Sequence, residues 1–186
     1  MKKMDRCYIN DLDEIKLKIQ YEETLVHFEE AMLCYNTGAY KASTILLWLA
    51  IFHDLINKIK EMSTNGDSNA EQIIKKFNAL CEKNDVKLMQ DFEKEILKKS
   101  CDELMLISTI EREHLNRIKV DRNYAAHPYF SIESKNHHYK EQLKSHILHA
   151  SNYLFIQPPI SGKYRVDEVF KLIQQDSFPT TVTRQI

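Results

Sequence analysis

The segment ASTILLWLAIFHDLI, at positions 42–56, is the feature that most constrains the fold of this chain. As a helix it is apolar on nearly every side, so it must be covered from more than one direction. Such a helix lies either at the centre of a helical bundle or at a subunit interface. His53 and Asp54 stop the apolar run, and for that reason we do not expect it to span a membrane.

Turn-forming residues are scarce, since the 186 residues include only three Gly and four Pro. That scarcity argues against a many-stranded β fold and favours a few long helices. Apolar residues make up 43% and charged residues 28% of the chain, which is typical of a soluble globular protein. The net charge of −1 lacks the basic footprint of a general nucleic-acid binder. Any contact with RNA is therefore expected to be local.

The N-terminal stretch MKKMDRCYINDLDE lacks the apolar core of a signal peptide, and the expected compartment is the cytosol. The four cysteines (Cys7, Cys34, Cys81 and Cys101) are scattered and form no C-x-x-C pair. In a cytosolic chain they are expected to be reduced, partly buried small residues.

Apolar residues recur at helical spacing along most of the chain, which predicts an all-α fold, an up-down bundle of four to six helices. The predicted helices occupy positions 11–36, 39–61, 70–83, 86–99, 102–120 and 133–156. Residues 36–38 predict a C-cap, 62–69 a loop, and Asn84-Asp85 a break. We expect one helical domain over 1–157, followed over 158–186 by a tail or linker with one short helix at 166–174.

The stretch DRNYAAHPYF, at 121–130, places an Arg, an amide and a His between two predicted helices. Arg122 carries a permanent charge and a planar fork of donors that matches phosphate oxygens. His127 titrates near neutral pH and can accept or donate a proton. The two suffice for RNA cleavage without metal, because His127 can act on the ribose 2′-OH or the leaving 5′ oxygen while Arg122 stabilises charge on phosphorus.

Asn123 could support this chemistry by holding the His tautomer or a phosphate oxygen. Pro128 disfavours the helical conformation at His127 and predicts that the helix ends there. The same residues also suit an ordinary helix C-terminus and turn, in which Arg122 offsets the helix dipole and Asn123 supports a cap.

The motif RNYAAHP resembles the R-N-x-x-x-H signature of the HEPN superfamily, which comprises helical-bundle ribonucleases and RNA-binding proteins of prokaryotic defence, toxin–antitoxin and RNA-processing systems. The order of elements over roughly 10–157 is also similar, because the motif follows several helices and precedes a last long one. The matching residues are Arg122, Asn123 and His127.

The resemblance implies a metal-independent endoribonuclease with no cofactor. Its homodimer would bring two motifs together in one composite site, leaving a 2′,3′-cyclic phosphate and a 5′-OH. It further implies an antitoxin or regulatory protein partner, and in some such systems the antitoxin modifies a Tyr near the motif. Tyr124 and Tyr129 are candidates for that modification or for stacking on RNA bases. A HEPN-like module that binds RNA or protein without cutting remains the alternative.

Several other polar residues are candidates for supporting roles. Glu111 lies on one helix face with Leu115, Ile118 and Arg122, where it could orient the Arg or a water, or simply be solvated or ion-paired. His114 lies next to that stripe. Arg117 is expected to pair with Glu113.

His53 and Asp54 are polar residues in an apolar helix and must find hydrogen-bond partners there. One of them could support the catalytic residues from behind the cleft. Asp54 and Lys58 also have the i, i+4 spacing of a routine helix ion pair. The histidines at 137, 138, 146 and 149 are expected to lie on the surface, since no Cys or carboxylate completes a metal-binding spacing.

Overall fold

The computed structural model of this chain describes residues 12–127 and 139–158. Within these ranges all regular structure is helical, and it comprises seven α-helices, α1 (Leu12–Lys16), α2 (Glu22–Asn36), α3 (Tyr40–Thr64), α4 (Ser68–Lys83), α5 (Val86–Asp102), α6 (Thr109–Ala126) and α7 (Tyr139–Ala150). A π-helical turn, Ser151–Phe155, continues α7. The predicted helical bundle is confirmed, with one short helix more than expected. Cys7, Tyr129, His137, His138 and the predicted helix at 166–174 lie outside the described residues.

The central helix is α3, which contacts α2, α4, α6 and the π-helical turn. Trp48, Ile51, Leu55 and Ile59 on this helix have no exposed surface. The structure thus places the all-round apolar helix at the bundle centre. By length and composition α3 could also cross a membrane, contrary to the expectation that His53 and Asp54 make it too short, but 61% of its apolar stretch is buried inside the protein.

Neighbouring helices run antiparallel in at least three pairs. Ser43 near the start of α3 donates a hydrogen bond to the Ala31 carbonyl in α2, whereas Asn57 near its end donates to Glu23 at the start of α2. Side-chain contacts pair α5 with α6, and α6 with α7, in the same opposed sense. Helix α6 therefore has α3, α5 and α7 packed around it.

Two predicted boundaries in the first half of the chain are wrong. The helix predicted at 11–36 is interrupted at 17–21, where Leu17 is 80% exposed, because the apolar spacing slips between Ile19 and Leu25. The buried face of α2 is accordingly different from the predicted one, and Leu33 is exposed. The loop predicted at 62–69 is shorter, since the Asp67 carboxylate caps α4 by accepting from the Asn69 and Ala70 amides.

The predicted helix at 102–120 is displaced toward the C-terminus. It begins at Thr109, because Ser108 and Glu111 form a capping box there and Met105 adopts a positive φ of 51° in the preceding turn. It ends at Ala126, so Arg122 and Asn123 belong to the last turns of α6. The predicted C-cap at Asn36-Thr37-Gly38 and the predicted break at Asn84-Asp85 are confirmed. At the break, Asn84 is the C-cap of α4 and Asp85 is the N-cap of α5.

Candidate active site

The last two turns of α6 bring Arg122, Asn123 and His127 to the wall of one pocket. The pocket has a volume of about 310 Å³ and lies between α5 and α6. Its lining residues are Gln90, Glu93 and Lys94 from α5, and Lys119, Arg122, Asn123 and His127 from α6 and its C-cap. The three motif residues thus share an opening with two further cations and a carboxylate.

Arg122 is held in place by a residue that the sequence did not single out. Its Nη2 lies 2.7 Å from Oε1 of Glu93, and its Nη1 donates to Oδ1 of Asn123 at 2.9 Å. The same Glu93 oxygen accepts a 2.5 Å hydrogen bond from Nε1 of Trp48, whose side chain is fully buried in α3. With a quarter of its side chain exposed, Arg122 is anchored to the core through Glu93 and still borders the pocket.

His127 is the C-cap of α6. Its backbone N–H donates to the Asn123 carbonyl at 3.2 Å, and its φ of −92° and ψ of 122° are extended, as the following Pro128 predicts. The side chain is exposed. This geometry ends the helix and leaves the imidazole at the pocket wall, where a ligand can reach it.

Lys94 and Lys119 are pocket cations that sequence reasoning missed. Nζ of Lys119 donates to the backbone carbonyl of Lys94 at 3.2 Å, which places the ammonium between α5 and α6. Burial lowers the pKa of Lys119, and the nearby Glu93 carboxylate opposes that shift. The sequence did offer one signal that a residue such as Glu93 lies here. Trp48 is in the apolar helix, and a buried indole N–H needs a hydrogen-bond acceptor, which Glu93 provides.

Glu111 has a structural role at the other end of α6. Its carboxylate accepts from the Ser108 amide at 2.7 Å, and Ser108 in turn caps the Glu111 amide. Eleven residues of helix separate it from Arg122, roughly 16 Å at the usual rise. The predicted stripe through Leu115 and Ile118 is confirmed as a buried face, but distance excludes a direct contact between Glu111 and Arg122.

His114 faces α7 rather than the pocket. Its Nδ1 lies 3.0 Å from the Tyr153 hydroxyl, and its ring stacks on His149 with centroids 4.4 Å apart. His149 stacks in turn on Tyr153. Burial, with help from the neighbouring histidines at 114 and 146, lowers the pKa of His149.

The same α6–α7 interface holds a buried carboxylate–imidazole pair. His146 is only 7% exposed and its Nε2 lies 2.8 Å from Oδ2 of Asp121, which also accepts from Gln142. The expectation of a surface histidine is wrong for His146, because α7 turns this residue toward Asp121. Arg117 lies 3.4 Å from Asp121, rather than pairing with Glu113 as expected.

His53 and Asp54 lie elsewhere on α3. Asp54 and Lys58 form the predicted pair, but both are fully buried, and Lys58 Nζ also donates to the Leu154 carbonyl at 2.6 Å. The His53 ring packs on His27 with centroids 4.9 Å apart, and burial lowers its pKa. The α3 residue that is bonded to Glu93, and thereby linked to Arg122, is Trp48.

Tyr124 is 48% exposed beside the motif, a position compatible with stacking or modification. In the part of the chain that the structure describes, no three His, Cys, Asp or Glu side chains converge as metal ligands would.

Comparisons with protein-family models, with curated proteins and with solved structures found no match to this chain. The chemistry available at the pocket is that of an anion site that also carries an imidazole.

Proposed function

We propose that this chain is a metal-independent endoribonuclease of the HEPN type, acting in the cytoplasm in a prokaryotic defence or toxin–antitoxin system. The observation that carries the proposal is the shared pocket of Arg122, Asn123 and His127. A guanidinium and an imidazole at one opening match RNA cleavage, in which the ribose 2′-OH loses a proton, the leaving 5′-oxygen gains one and negative charge builds on the phosphoryl oxygens.

In the proposed reaction the ribose 2′-oxygen attacks the adjacent phosphorus, and the bond to the 5′-oxygen breaks. His127 accepts the 2′-OH proton, and the imidazole of a second copy of the chain delivers a proton to the leaving 5′-oxygen. Arg122 donates hydrogen bonds to the phosphoryl oxygens as negative charge builds there. Asn123 keeps the Arg122 guanidinium oriented through its Oδ1 contact.

The proposal includes a homodimer, because one motif supplies one imidazole and the reaction uses two. It also includes an antitoxin or other regulatory protein, since an RNA-cutting toxin must be restrained. The exposed Tyr124 is a position that such a partner could cover or modify.

The deciding experiment is cleavage of single-stranded RNA by the purified protein in excess EDTA, with end-group analysis of the products. We expect cyclic phosphate and 5′-OH ends, and loss of cleavage in His127→Ala with the helical circular dichroism and the dimer retained. Dependence on added metal, or full cleavage by that variant, would sink the proposal.

A non-catalytic binding module is the second candidate, and the ion pair between Arg122 and Glu93 favours it. That pair shows that the motif arginine also joins α5 to α6. Loss of stability in Arg122→Ala is therefore expected for either function, and melting of that variant does not separate them. The His127→Ala cleavage assay does, because His127 is exposed and its side chain can be removed with little cost to the fold.

A further inference from the structure

A second cavity continues the pocket along the same pair of helices. It has a volume of about 400 Å³ and shares Lys94 and Lys119 with the pocket that contains Arg122 and His127. The additional lining residues are Leu97, Lys98, Arg112, Glu113 and Asn116. We call the two together the α5–α6 groove.

Cations outnumber carboxylates in the lining of the groove. Five of them face it (Lys94, Lys98, Arg112, Lys119 and Arg122), against the two carboxylates of Glu93 and Glu113. Glu93 is engaged by Arg122 and Trp48. In a chain with a net charge of −1, this excess is a local feature rather than a reflection of the whole surface.

The cations differ in whether another group of the protein already binds them. Lys94 pairs with Asp91, and Arg112 pairs with Asp102. Lys119 donates to a backbone carbonyl. Lys98 is exposed and has no ion-pair partner among the described residues. It is the groove cation best placed to report on an incoming anion.

Dimensions favour one nucleic-acid strand. From Arg112 to His127 the groove follows fifteen residues of α6, about 22 Å at the usual rise per residue. That length matches about six stacked nucleotides at ~3.4 Å each. Packed helices lie about 8–10 Å apart, and a furrow between them is narrower than a B-form duplex, whose major groove alone is ~12 Å wide.

We infer that the α5–α6 groove is the track that holds the single-stranded RNA on one side of the cleaved bond. Lys94, Lys98, Lys119 and Arg112 contact its phosphates, and the amide of Asn116 is available to a base edge. This inference rests on the proposed function, because it takes the pocket at His127 as the point where the strand is cut.

The test measures binding and cleavage separately. Labelled oligouridines from about three to about twelve nucleotides are titrated onto the full chain carrying His127→Ala, over a range of salt concentrations. We expect affinity to rise with length up to the reach of the track. Lys98→Gln in the same background should raise Kd about fivefold at 0.1 M salt and reduce the salt slope by about 0.7, the contribution of one phosphate contact.

Lys75→Gln is the matched control, because Lys75 is an exposed lysine of α4 that lines neither cavity. In the cleaving protein, the effect of Lys98→Gln should appear in KM rather than in kcat. The track is refuted if Lys98→Gln binds like Lys75→Gln, or if polyglutamate binds the His127→Ala protein as tightly as RNA does, which would point to an acidic protein partner. Failure of the wild-type chain to cut RNA, with Lys98-dependent binding intact, would refute the proposed cleavage and leave the groove as a binding site for single-stranded RNA without a cut point.

Discussion

Helix α6 carries polar side chains on two faces that are used in different ways. Toward α7, the histidines at 114, 146 and 149 stack on aromatic rings or pair with Asp121, so their polar groups satisfy one another inside the bundle. Toward α5, the cations and His127 line an open groove. Three of the four described histidines near α6 are packing residues, so the surroundings of a histidine rather than its presence indicate a function.

The largest expected difference is between the effects of replacing His127 and of replacing His146 on cleavage and on stability. His127→Ala should lower the RNA cleavage rate by about 10²–10⁴-fold, the usual contribution of a general acid or base, and change stability by less than about 0.5 kcal/mol. His146→Ala should lower the free energy of unfolding by about 2 kcal/mol, because it removes a buried partner of Asp121, and leave cleavage per folded molecule intact. Urea unfolding and single-turnover cleavage on both variants measure this, and loss of cleavage in His146→Ala would break the distinction between the two faces.

Next in size is the effect of Glu93→Gln. This change keeps the side-chain volume and removes the charge that fixes Arg122, so we expect kcat to fall about tenfold through misplacement of the guanidinium. Glu93 acts here as a positioning residue, and the rise in KM expected for Lys98→Gln should be absent from this variant. An increase in kcat would instead mean that Glu93 restrains Arg122 and that the resting pocket is inhibited.

Trp48→Phe tests whether the buried indole sets the Glu93 carboxylate. Phe retains most of the apolar volume but cannot donate to Glu93, and the free energy of unfolding should fall by about 1 kcal/mol. Cleavage should fall less than in Glu93→Gln, since the ion pair with Arg122 persists. Thermal melting and the same cleavage assay measure the two effects. A larger loss of cleavage than in Glu93→Gln would contradict the view that Trp48 acts on Arg122 through Glu93.

The smallest effect concerns pH and the α7 face. The folded-state pKa of His149 lies below the ordinary value, so the unfolded chain binds more protons in the window below about pH 6.5. Stability is therefore fully present above that window and decreases as the pH falls through it. His149→Phe should keep the stacking and reduce the drop in Tm between about pH 7.5 and 5.5. The pKa of His53 is also lowered, so part of the drop in Tm should remain in this variant. A drop in Tm equal to that of the wild-type chain would exclude His149 as a source of the pH dependence.

Local sequence signals predicted the helices better than the contacts between helices. Residue type and spacing predict the apolar α3, the C-cap at Asn36-Thr37-Gly38, the break at Asn84-Asp85 and the stripe through Leu115 and Ile118. The structure confirms these features. The start of α6 was misplaced, because Leu104 and Ile107 are buried at helical spacing although they lie in a turn. Burial alone therefore does not distinguish a helix from a loop that packs on the core.

The residues around the motif could be predicted only in part. Arg122, Asn123 and His127 are close in sequence, and their convergence on one pocket needs no more than a helix end. Glu93 lies 29 positions away on α5, and its contact depends on how α5 packs against α6 and α3. His146 was misassigned to the surface for the same reason, since pairing across helices leaves no periodic trace in the sequence.

The π-helical turn after α7 is part of the bundle core. Its Leu154 carbonyl accepts a hydrogen bond from the buried ammonium of Lys58, and Phe155 packs edge-on against Phe28 with centroids 5.7 Å apart. A cut before Leu154 would leave Lys58 with one carboxylate partner in the core and expose one side of Phe28. Gln157 closes the turn by donating to the Asn152 carbonyl. For fusion or domain grafting, a junction placed before Gln157 would therefore remove contacts on which the bundle core depends.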